Sequence, residues 1–162
     1  MNKMELLDLL ANNPRASVTD LADILNESEE DVKKGIEDLE KNKIICGYHT
    51  VINWDKTNSD HIDAMIGVSA KPERNTGYDK IAERIARFPE VSSIYLMSGT
   101  YEFMVTVNAK TMREVADFVG GKLAPLDGVI STVTMFILKK YKVNGVLIDV
   151  DQEEDERQLI SA

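Results

Sequence analysis

The sequence predicts an α+β protein with two domains, and three observations carry this prediction. The first 45 residues place apolar side chains at helical spacing, with capping residues between the runs. Residues 62–140 alternate between strand-like and helix-like segments in the order βαββαβ. Between these two regions, the polar and turn-rich run 55–60 marks a domain boundary.

The first region has the pattern of three short helices. Leu7 and Leu10 lie on one helical face, and Pro14 ends that run because proline cannot continue a helix. Ser17 and Ser28 each precede an acidic residue by three positions, which is a capping box for the second and the third helix. Two capped helices separated by a short turn form a helix-turn-helix pattern.

The turn and the segment after the third helix complete a winged motif. Asn26 occupies the turn, where asparagine tolerates a left-handed backbone better than most residues. Residues 44–48 and 50–52 read as two short strands, so we expect a small wing. The predicted winged helix-turn-helix domain spans residues 1–54, and a linker follows over 55–61.

The second domain, residues 62–150, is predicted to be a ferredoxin-like βαββαβ fold with an antiparallel sheet. Its elements are expected as strand 62–71, helix 78–87, strand 91–98, strand 101–108, helix 112–122 and strand 129–140. Thr76 and Thr111 begin capping boxes for the two helices. The dipeptide Asn144-Gly145 predicts a hairpin after the last strand.

Both faces of the predicted sheet carry apolar side chains. Alternation assigns to one face Ile66, Val68, Val91, Phe103, Val105, Val133 and Met135. It assigns to the opposite face Met65, Ile94, Leu96, Met104, Phe136 and Leu138. Two helices cover only one face, and the other would be a larger apolar patch than monomers tolerate. We therefore expect the second face to be an oligomer interface in a homodimer or higher homo-oligomer.

Composition and charge narrow the classes of function. The 162 residues carry 19 basic and 28 acidic side chains, a net charge of −9. The first 55 residues hold 6 basic and 12 acidic groups. This net negative charge argues against non-specific electrostatic binding to the phosphates of a nucleic acid. Residues 151–162 are predicted to be an acidic, solvated tail.

The remaining composition excludes several classes of protein. No apolar run is long enough for a membrane span. A single cysteine fits the reducing cytoplasm. With two histidines, one cysteine and no Gly-rich phosphate loop, most zinc and nucleophilic chemistry lacks its residues. We expect no metal, no cofactor and no enzymatic activity.

The exposed side of the third helix is the candidate DNA-binding surface. The residues expected to contact DNA are Ser28, Glu30, Lys33, Lys34 and Lys41. Lysines contact phosphates, and side chains near the start of such a helix reach base edges in the major groove. The alternative is an ordinary solvated face with the ion pairs Glu30–Lys34 and Glu37–Lys41.

Several short motifs stand in an order that is typical of a known family. They are Asn-Pro-Arg-Ala-Ser at 13–17, Ile-Ile-Cys-Gly-Tyr at 44–48, Pro-Glu-Val at 89–91, Ser-Gly-Thr-Tyr-Glu at 98–102 and Leu-Asp-Gly-Val at 126–129. With them, the chain resembles the leucine-responsive regulatory protein/AsnC (Lrp/AsnC, or feast/famine) family of bacterial and archaeal transcription regulators. Family members usually carry arginines where this chain has Gly35 and Asp38, and an aspartate where it has Glu102.

The resemblance implies an amino-acid-responsive regulator that binds double-stranded DNA and senses a small amino-acid effector in its second domain. It maps the effector site onto Gly99, Thr100, Tyr101, Glu102, Thr132 and Thr134. A carboxylate at Glu102 can pair an ammonium, and backbone N–H groups near Gly99 can bind a carboxylate. Without the resemblance, Gly99 is ordinary turn chemistry, and paired threonines are common in strands.

One alternative function stays open. The chain could be a ligand-sensing and oligomerisation module whose acidic first domain does not bind DNA alone and acts through a partner. Cys46 and His49 are three residues apart, which sends them to opposite faces of a strand and argues against a shared metal or a nucleophile–base pair. His61 is expected to be an ordinary surface histidine.

Overall fold

The computed structural model describes residues 2–148, and it confirms the α+β fold. The chain divides into two compact units, Met1–Thr50 and Val51–Ala162. The division therefore lies four residues before the predicted end of the first domain. The predicted tail 151–162 and the last two residues of the predicted second domain lie outside the described residues.

Three helices form the first unit: α1 (Lys3–Asn12), α2 (Val18–Leu25) and α3 (Glu29–Lys41). Their apolar faces meet in a core of Leu6, Leu10, Leu21, Ala22, Val32 and Leu39. The predicted caps are confirmed, since the hydroxyls of Ser17 and Ser28 accept the backbone N–H of the residue three positions on, at 3.0 and 3.1 Å. Asn26 closes the turn with a φ of 52°, as its left-handed tolerance predicts.

The prediction of a two-stranded wing is wrong for the described chain. Lys43 takes a φ of 58°, and the N–H groups of Ile44 and Ile45 both donate to the carbonyl of Leu39. The described residues 44–53 form no strand. Ile45 packs against the helical core, whereas Ile44 and Tyr48 are exposed. A two-stranded hairpin is marginal unless it packs on an apolar surface, and the side chains of Ile44, Tyr48 and Ile52 remain exposed here.

A four-stranded antiparallel sheet dominates the second unit and confirms the βαββαβ prediction. After a short 3-10 turn at Trp54–Lys56, the elements are β1 (Ile62–Ala70), α4 (Asp79–Ala86), β2 (Val91–Leu96), β3 (Phe103–Ala109), α5 (Met112–Phe118), a π-helical turn (Val119–Leu123) and β4 (Val129–Phe136). The strand order is β2-β3-β1-β4. Helices α4 and α5 pack their apolar residues on one face of this sheet.

Local signals in the second unit are confirmed in two of three places. Thr111 caps α5, since its hydroxyl accepts the N–H of Glu114 at 3.1 Å. The hairpin at Asn144-Gly145 joins β5 (Lys142–Val143) to β6 (Val146–Leu147). The predicted cap at Thr76 is wrong. There, Gly77 and Glu73 exchange two backbone hydrogen bonds, and the Thr76 hydroxyl donates to Glu73 instead of capping α4.

Strand register corrects the predicted assignment of residues to the two faces of the sheet. Directly paired residues share a face. On the side covered by the helices, Phe136 pairs with Ala64, Ile94 with Val105, and Leu96 with Phe103. The predicted interface residues Ile94, Leu96 and Phe136 therefore lie on the helix side, and Leu138 lies beyond the end of β4.

The opposite side of the sheet, here called the outer face, consists of Met65, Tyr95, Met104, Val133 and Met135 with smaller neighbours. Val133 and Met135 were predicted on the helix side, but they pair with Gly67 and Met65. Alternation shows which residues of one strand share a face, but it does not show which of the two sets faces the helices. A shift of one residue in the pairing with the next strand exchanges the two sets. Met65 and Met104 are placed as predicted.

Candidate functional site

The exposed side of α3 carries the predicted DNA-binding residues. Glu30, Lys33, Lys34 and Lys41 are all exposed to solvent. Within residues 2–148, neither of the ion pairs Glu30–Lys34 and Glu37–Lys41 forms. Lys33, Lys34 and Lys41 therefore remain available to an external anion. The alternative interpretation, a solvated face held by these two ion pairs, is not supported by the pairs it predicted.

The start of α3 is fixed by its own hydrogen bonds. The hydroxyl of Ser28 accepts the N–H of Asp31 and donates to the Asp31 carboxylate at 2.6 Å. This hydroxyl is thus committed to capping, although the sequence predicted it as a DNA contact. Thr19 at the start of α2 donates to Glu29 at 2.8 Å, which ties the two helices together. No local signal in the sequence indicates this bond, since the two residues are ten positions apart.

Gly35 and Asp38 do not lie on the centre of that exposed side. Gly35 is buried, and the Asp38 carboxylate lies 3.6 Å from the Lys3 ammonium on α1. Beyond α3, the Tyr48 hydroxyl donates to Glu40 at 3.0 Å. Partial burial, followed by this bond and the charge of the carboxylate, raises the pKa of Tyr48.

The predicted effector segment is the connection between β2 and β3. The backbone N–H of Met97 donates to the carbonyl of Glu102 at 2.8 Å, which closes the connection. The ring of Tyr101 lies over Gly67 of β1 so closely that a Cβ at Gly67 would be 2.5 Å from the ring. Gly67 was not singled out in the sequence, because only the structure shows this approach.

The side chain of Glu102 links the same connection to Ala70, the last residue of β1. Its Oε2 accepts the N–H of Ala70 at 2.9 Å, in a partly buried position. Its Oε1 has no hydrogen-bond partner among residues 2–148 and can accept from a ligand. A Cβ at Gly99 would meet nothing within 4 Å, so the chain's own atoms leave space around this glycine. Thr100 is exposed beside it.

Thr132 and Thr134, the two residues of the predicted effector site that lie on β4, do not join this group. Thr132 pairs with Val68 and Thr134 with Ile66, so both face the helices. Tyr101 covers Gly67 on the outer face, which is the other side of the sheet. The structure therefore brings Tyr101 and Glu102 together with the exposed Gly99 and Thr100, and it separates Thr132 and Thr134 from them.

A cluster that the sequence analysis missed lies at the start of β1. The ring of His61 stacks on Trp54, with centroids 4.5 Å apart, and its Nε2 lies 3.0 Å from Asp63. The expectation of an ordinary surface histidine is wrong, since 14% of this side chain is exposed. Asp63 is buried and also pairs with Lys140. The signal available in the sequence was the single tryptophan close to a His-x-Asp triplet.

Metal and membrane sites are not indicated by the described residues. In this part of the chain, no three His, Cys, Asp or Glu side chains come together as metal ligands. None of the helices described over residues 2–148 is long and apolar enough to cross a membrane.

Comparison with known proteins decides the family. The family model of the Lrp/AsnC ligand binding domain matches residues 63–147, which is more than half of the chain. The chain belongs to the Lrp/AsnC family. This Lrp/AsnC protein is 42% identical over 97% of its length, and 95% of the relative's, to an uncharacterised HTH-type transcriptional regulator, YugG, of Bacillus subtilis.

Two further comparisons agree with the family assignment. The Lrp/AsnC protein is 33% identical to the HTH-type transcriptional regulator LrpA of Pyrococcus abyssi, over 85% of its own length and 94% of the relative's. Its fold is similar to that of a Neisseria meningitidis transcriptional regulator solved as a complex with L-Met. The TM-score is 0.68 at 22% identity, with 87% of this chain and 90% of that chain covered.

Proposed function

We propose that this Lrp/AsnC protein is an amino-acid-responsive transcription regulator that binds double-stranded DNA through its helix-turn-helix. The observation that carries the proposal is similarity to an HTH-type transcriptional regulator along 97% of the chain, joined to the capped α2-turn-α3 geometry. As a regulator of this kind it is not an enzyme, and it acts in the cytoplasm. The single cysteine, Cys46, is compatible with that reducing compartment.

The proposed DNA contacts are made by the exposed side of α3. Lys33, Lys34 and Lys41 neutralise phosphates, and Glu30 lies near the helix start, where side chains reach base edges. Ser28 contributes indirectly, since its capping bonds fix the first turn of α3. An acidic unit gains little from non-specific attraction, so binding depends on these few contacts and on the avidity of an oligomer.

A gel shift across a salt series on the gene's own upstream region tests this proposal. Lys33→Ala, Lys34→Ala and Lys41→Ala should each weaken binding and lower the salt slope by about one. Lys110→Ala, an exposed lysine of the second unit, is the matched control and should leave the slope unchanged. Glu30→Gln and Glu37→Gln should tighten binding by removing like charge.

DNA binding is rejected if no duplex is retained at low salt by the wild type or by these two charge-relieved variants. That outcome would favour the alternative module, which acts through a partner. The acidic composition of the first 55 residues is the observation that keeps this alternative in view.

The proposed effector site is the connection between β2 and β3, at Gly99, Thr100, Tyr101 and Glu102. The free Oε1 of Glu102 would accept from the effector's ammonium, and exposed backbone N–H groups beside Gly99 would bind its carboxylate. The relative solved with L-Met supports an amino acid as the class of effector. Glu102→Gln keeps an oxygen for the Ala70 N–H, so the connection should stay in place while the charge is lost.

Thermal shift with each of the twenty amino acids tests this site. An amino acid that binds the folded state should raise the melting temperature by mass action. Glu102→Gln should lose most of that rise, whereas Lys34→Ala on α3 should keep it. The site assignment is wrong if Glu102→Gln responds as fully as the wild type.

Assembly through the outer face completes the proposal. Met65, Tyr95, Val133 and Met135 are between 36% and 56% exposed there, on strands β1, β2 and β4, and Met104 of β3 pairs with Tyr95 between them. Burying them against a second copy removes apolar surface from water on both partners. The proposed state is a homodimer or a higher homo-oligomer.

A further inference from the structure

Three of the seven methionines of the chain lie together on the outer face. Met65 on β1 pairs directly with Met135 on β4, and Met104 on β3 pairs with Gly67, two residues along β1 from Met65. Directly opposite side chains in a sheet have Cβ atoms about 4.5–5.5 Å apart, and diagonal neighbours lie within about 7–8 Å. These three thioethers, here called the methionine patch, therefore form one continuous part of the face that the proposed assembly buries.

Few groups beside the methionine patch could satisfy an added polar atom. Gly67 and Val133 have no polar side-chain atom, and the Thr106 hydroxyl is already bonded to that of Ser93 at 2.6 Å. Tyr95 offers one hydroxyl. In a two-fold interface the same patch faces its own copy, so both sides of the contact have this composition.

Oxidation changes the character of methionine side chains. The sulfur lone pair attacks an oxygen of hydrogen peroxide, the O–O bond breaks, and the hydroxide that leaves takes up the remaining proton as water. The sulfur loses two electrons and gains one oxygen, so a flexible apolar side chain becomes a polar sulfoxide. Burying such a group without a hydrogen-bond donor is unfavourable.

From this arrangement we infer that Met65, Met104 and Met135 form an oxidation-sensitive site, at which peroxide separates the copies of the assembled regulator. The inference rests on the proposed assembly through the outer face and names a way in which that assembly is regulated. Oxidation of the methionine patch places three acceptors per copy in an apolar contact, whereas water hydrates them once the copies separate. Methionine sulfoxide reductases remove the oxygen as water with electrons from a thiol, so the separation is reversible.

Access of the oxidant to the methionine patch depends on the assembly. Met65 and Met135 are 36% and 40% exposed in the single chain, and Met104 is half-buried. A second copy on the outer face covers all three, so peroxide reacts with them in the dissociated fraction, and dilution should speed their oxidation. Met4 on α1 and Met112 on α5 are 65% and 56% exposed, and their oxidation rates should not depend on chain concentration.

Treatment of the full chain with hydrogen peroxide tests the inference. The chain carries Cys46→Ser, because its exposed thiol would react with the same oxidant. Peptide mass spectrometry locates the sulfoxides, light scattering gives the mass of the particle, and circular dichroism reports on the fold. The oxidised chain should fall to half of the untreated mass or less with its fold intact. The two methionine sulfoxide reductases, supplied with dithiothreitol, should restore the mass.

Variants in the same background separate the methionine patch from the other methionines. Met65→Leu/Met104→Leu/Met135→Leu conserves size and apolar character, so it should assemble and keep its mass after the same treatment. Met135→Leu alone should be protected in part. Met4→Leu/Met112→Leu retains the patch and should dissociate as fully as the parent chain.

The inference is overturned by any of five results. They are an unchanged mass when the patch carries sulfoxide, dissociation of the oxidised triple leucine variant, loss of the fold on oxidation, no recovery with the reductases, and oxidation of the patch at a rate independent of chain concentration. Each of these would leave the proposed assembly standing. An untreated chain with the mass of a single copy would reject that assembly, and this inference with it.

Discussion

Gly67 has no side chain, and the ring of Tyr101 occupies the space beside it on the outer face. Tyr101 lies over this glycine, and a Cβ there would come within 2.5 Å of Cδ2 and 2.7 Å of Cγ. Because Cγ is near the root of the ring, the tyrosine cannot avoid the contact by a small rotation. Gly67 is thus required by a neighbour and not by its own backbone, since its φ is not positive.

Gly67→Ala should therefore destabilise the second unit by about 1–3 kcal/mol, the usual cost of overpacking. Gly99→Ala is the matched control, since its Cβ would meet nothing within 4 Å. That control should be neutral or slightly stabilising, because alanine reduces the freedom of the unfolded chain. Denaturant unfolding measures both. Equal stabilities of the two variants would contradict the close approach of Tyr101.

Glu90 and Lys122 form a pair whose contribution depends on pH. The bond from Lys122 lowers the pKa of Glu90 more than partial burial raises it. A carboxyl whose pKa is lower in the folded state stabilises above its unfolded pKa of about 4.3 and loses that contribution as the pH falls through the folded value.

Lys122→Met should reduce stability at pH 7 by at most about 1 kcal/mol, as for other pairs near the surface. The difference from wild type should fade in acid, once Glu90 is protonated in both states. Unfolding curves at neutral and at acidic pH measure it. A difference that stays constant down to the acid limit would show that packing, and not the charge pair, is responsible.

At the scale of single elements, the caps of α4 and α5 differ although their sequences look alike. Thr111→Ala removes the acceptor for the N–H of Glu114 and should cost about 1 kcal/mol. Thr76→Ala removes only a hydroxyl that bonds to Glu73, so it should cost less. Thermal unfolding of the two variants measures the difference. A larger loss for Thr76→Ala would mean that this residue caps α4 after all.

Three of the four predicted helix caps and the elements of the second unit were predictable because their signals are local, whereas the Thr76 cap and the wing strands were not. Ser17, Ser28 and Thr111 act within four residues, and Asn144-Gly145 sets its hairpin within four. The faces of β2 and β4 were not predictable, because register between strands depends on partners distant in sequence.

Long-range pairing also limited the prediction of the sites. The Glu102 bond to Ala70 spans 32 residues, and the Lys140 pair with Asp63 spans a larger separation. The exposed lysines of α3 were predictable, since helical periodicity alone places them. A cleft beside Trp54 was missed because its walls come from five separate parts of the chain.

For the whole molecule, the corrected outer face changes the test of assembly. Met135→Glu should break the oligomer and lower the mass seen by light scattering, because an unpaired charge would be buried at the interface. Met135 is 40% exposed in the single chain, so its carboxylate would be hydrated after dissociation and the fold should persist. Circular dichroism checks that the fold is intact.

Leu138→Glu is the control for this experiment. Leu138 is 92% exposed and lies beyond β4, so a charge there should leave the mass unchanged. If Met135→Glu keeps the wild-type mass, the outer face is not the interface.

The strand β4 also has a consequence for how the chain behaves when it is not yet folded. Its eight residues, Val129–Phe136, contain no charge and lie at an edge of the sheet. Exposed apolar edges of this kind template sheets between molecules, which leads to aggregation. Asp127 before the strand and the lysines at 139 and 140 after it act as gatekeepers that oppose such stacking. Recovery of soluble protein after refolding should therefore fall with rising chain concentration, and fall further when Lys139 and Lys140 lose their charge.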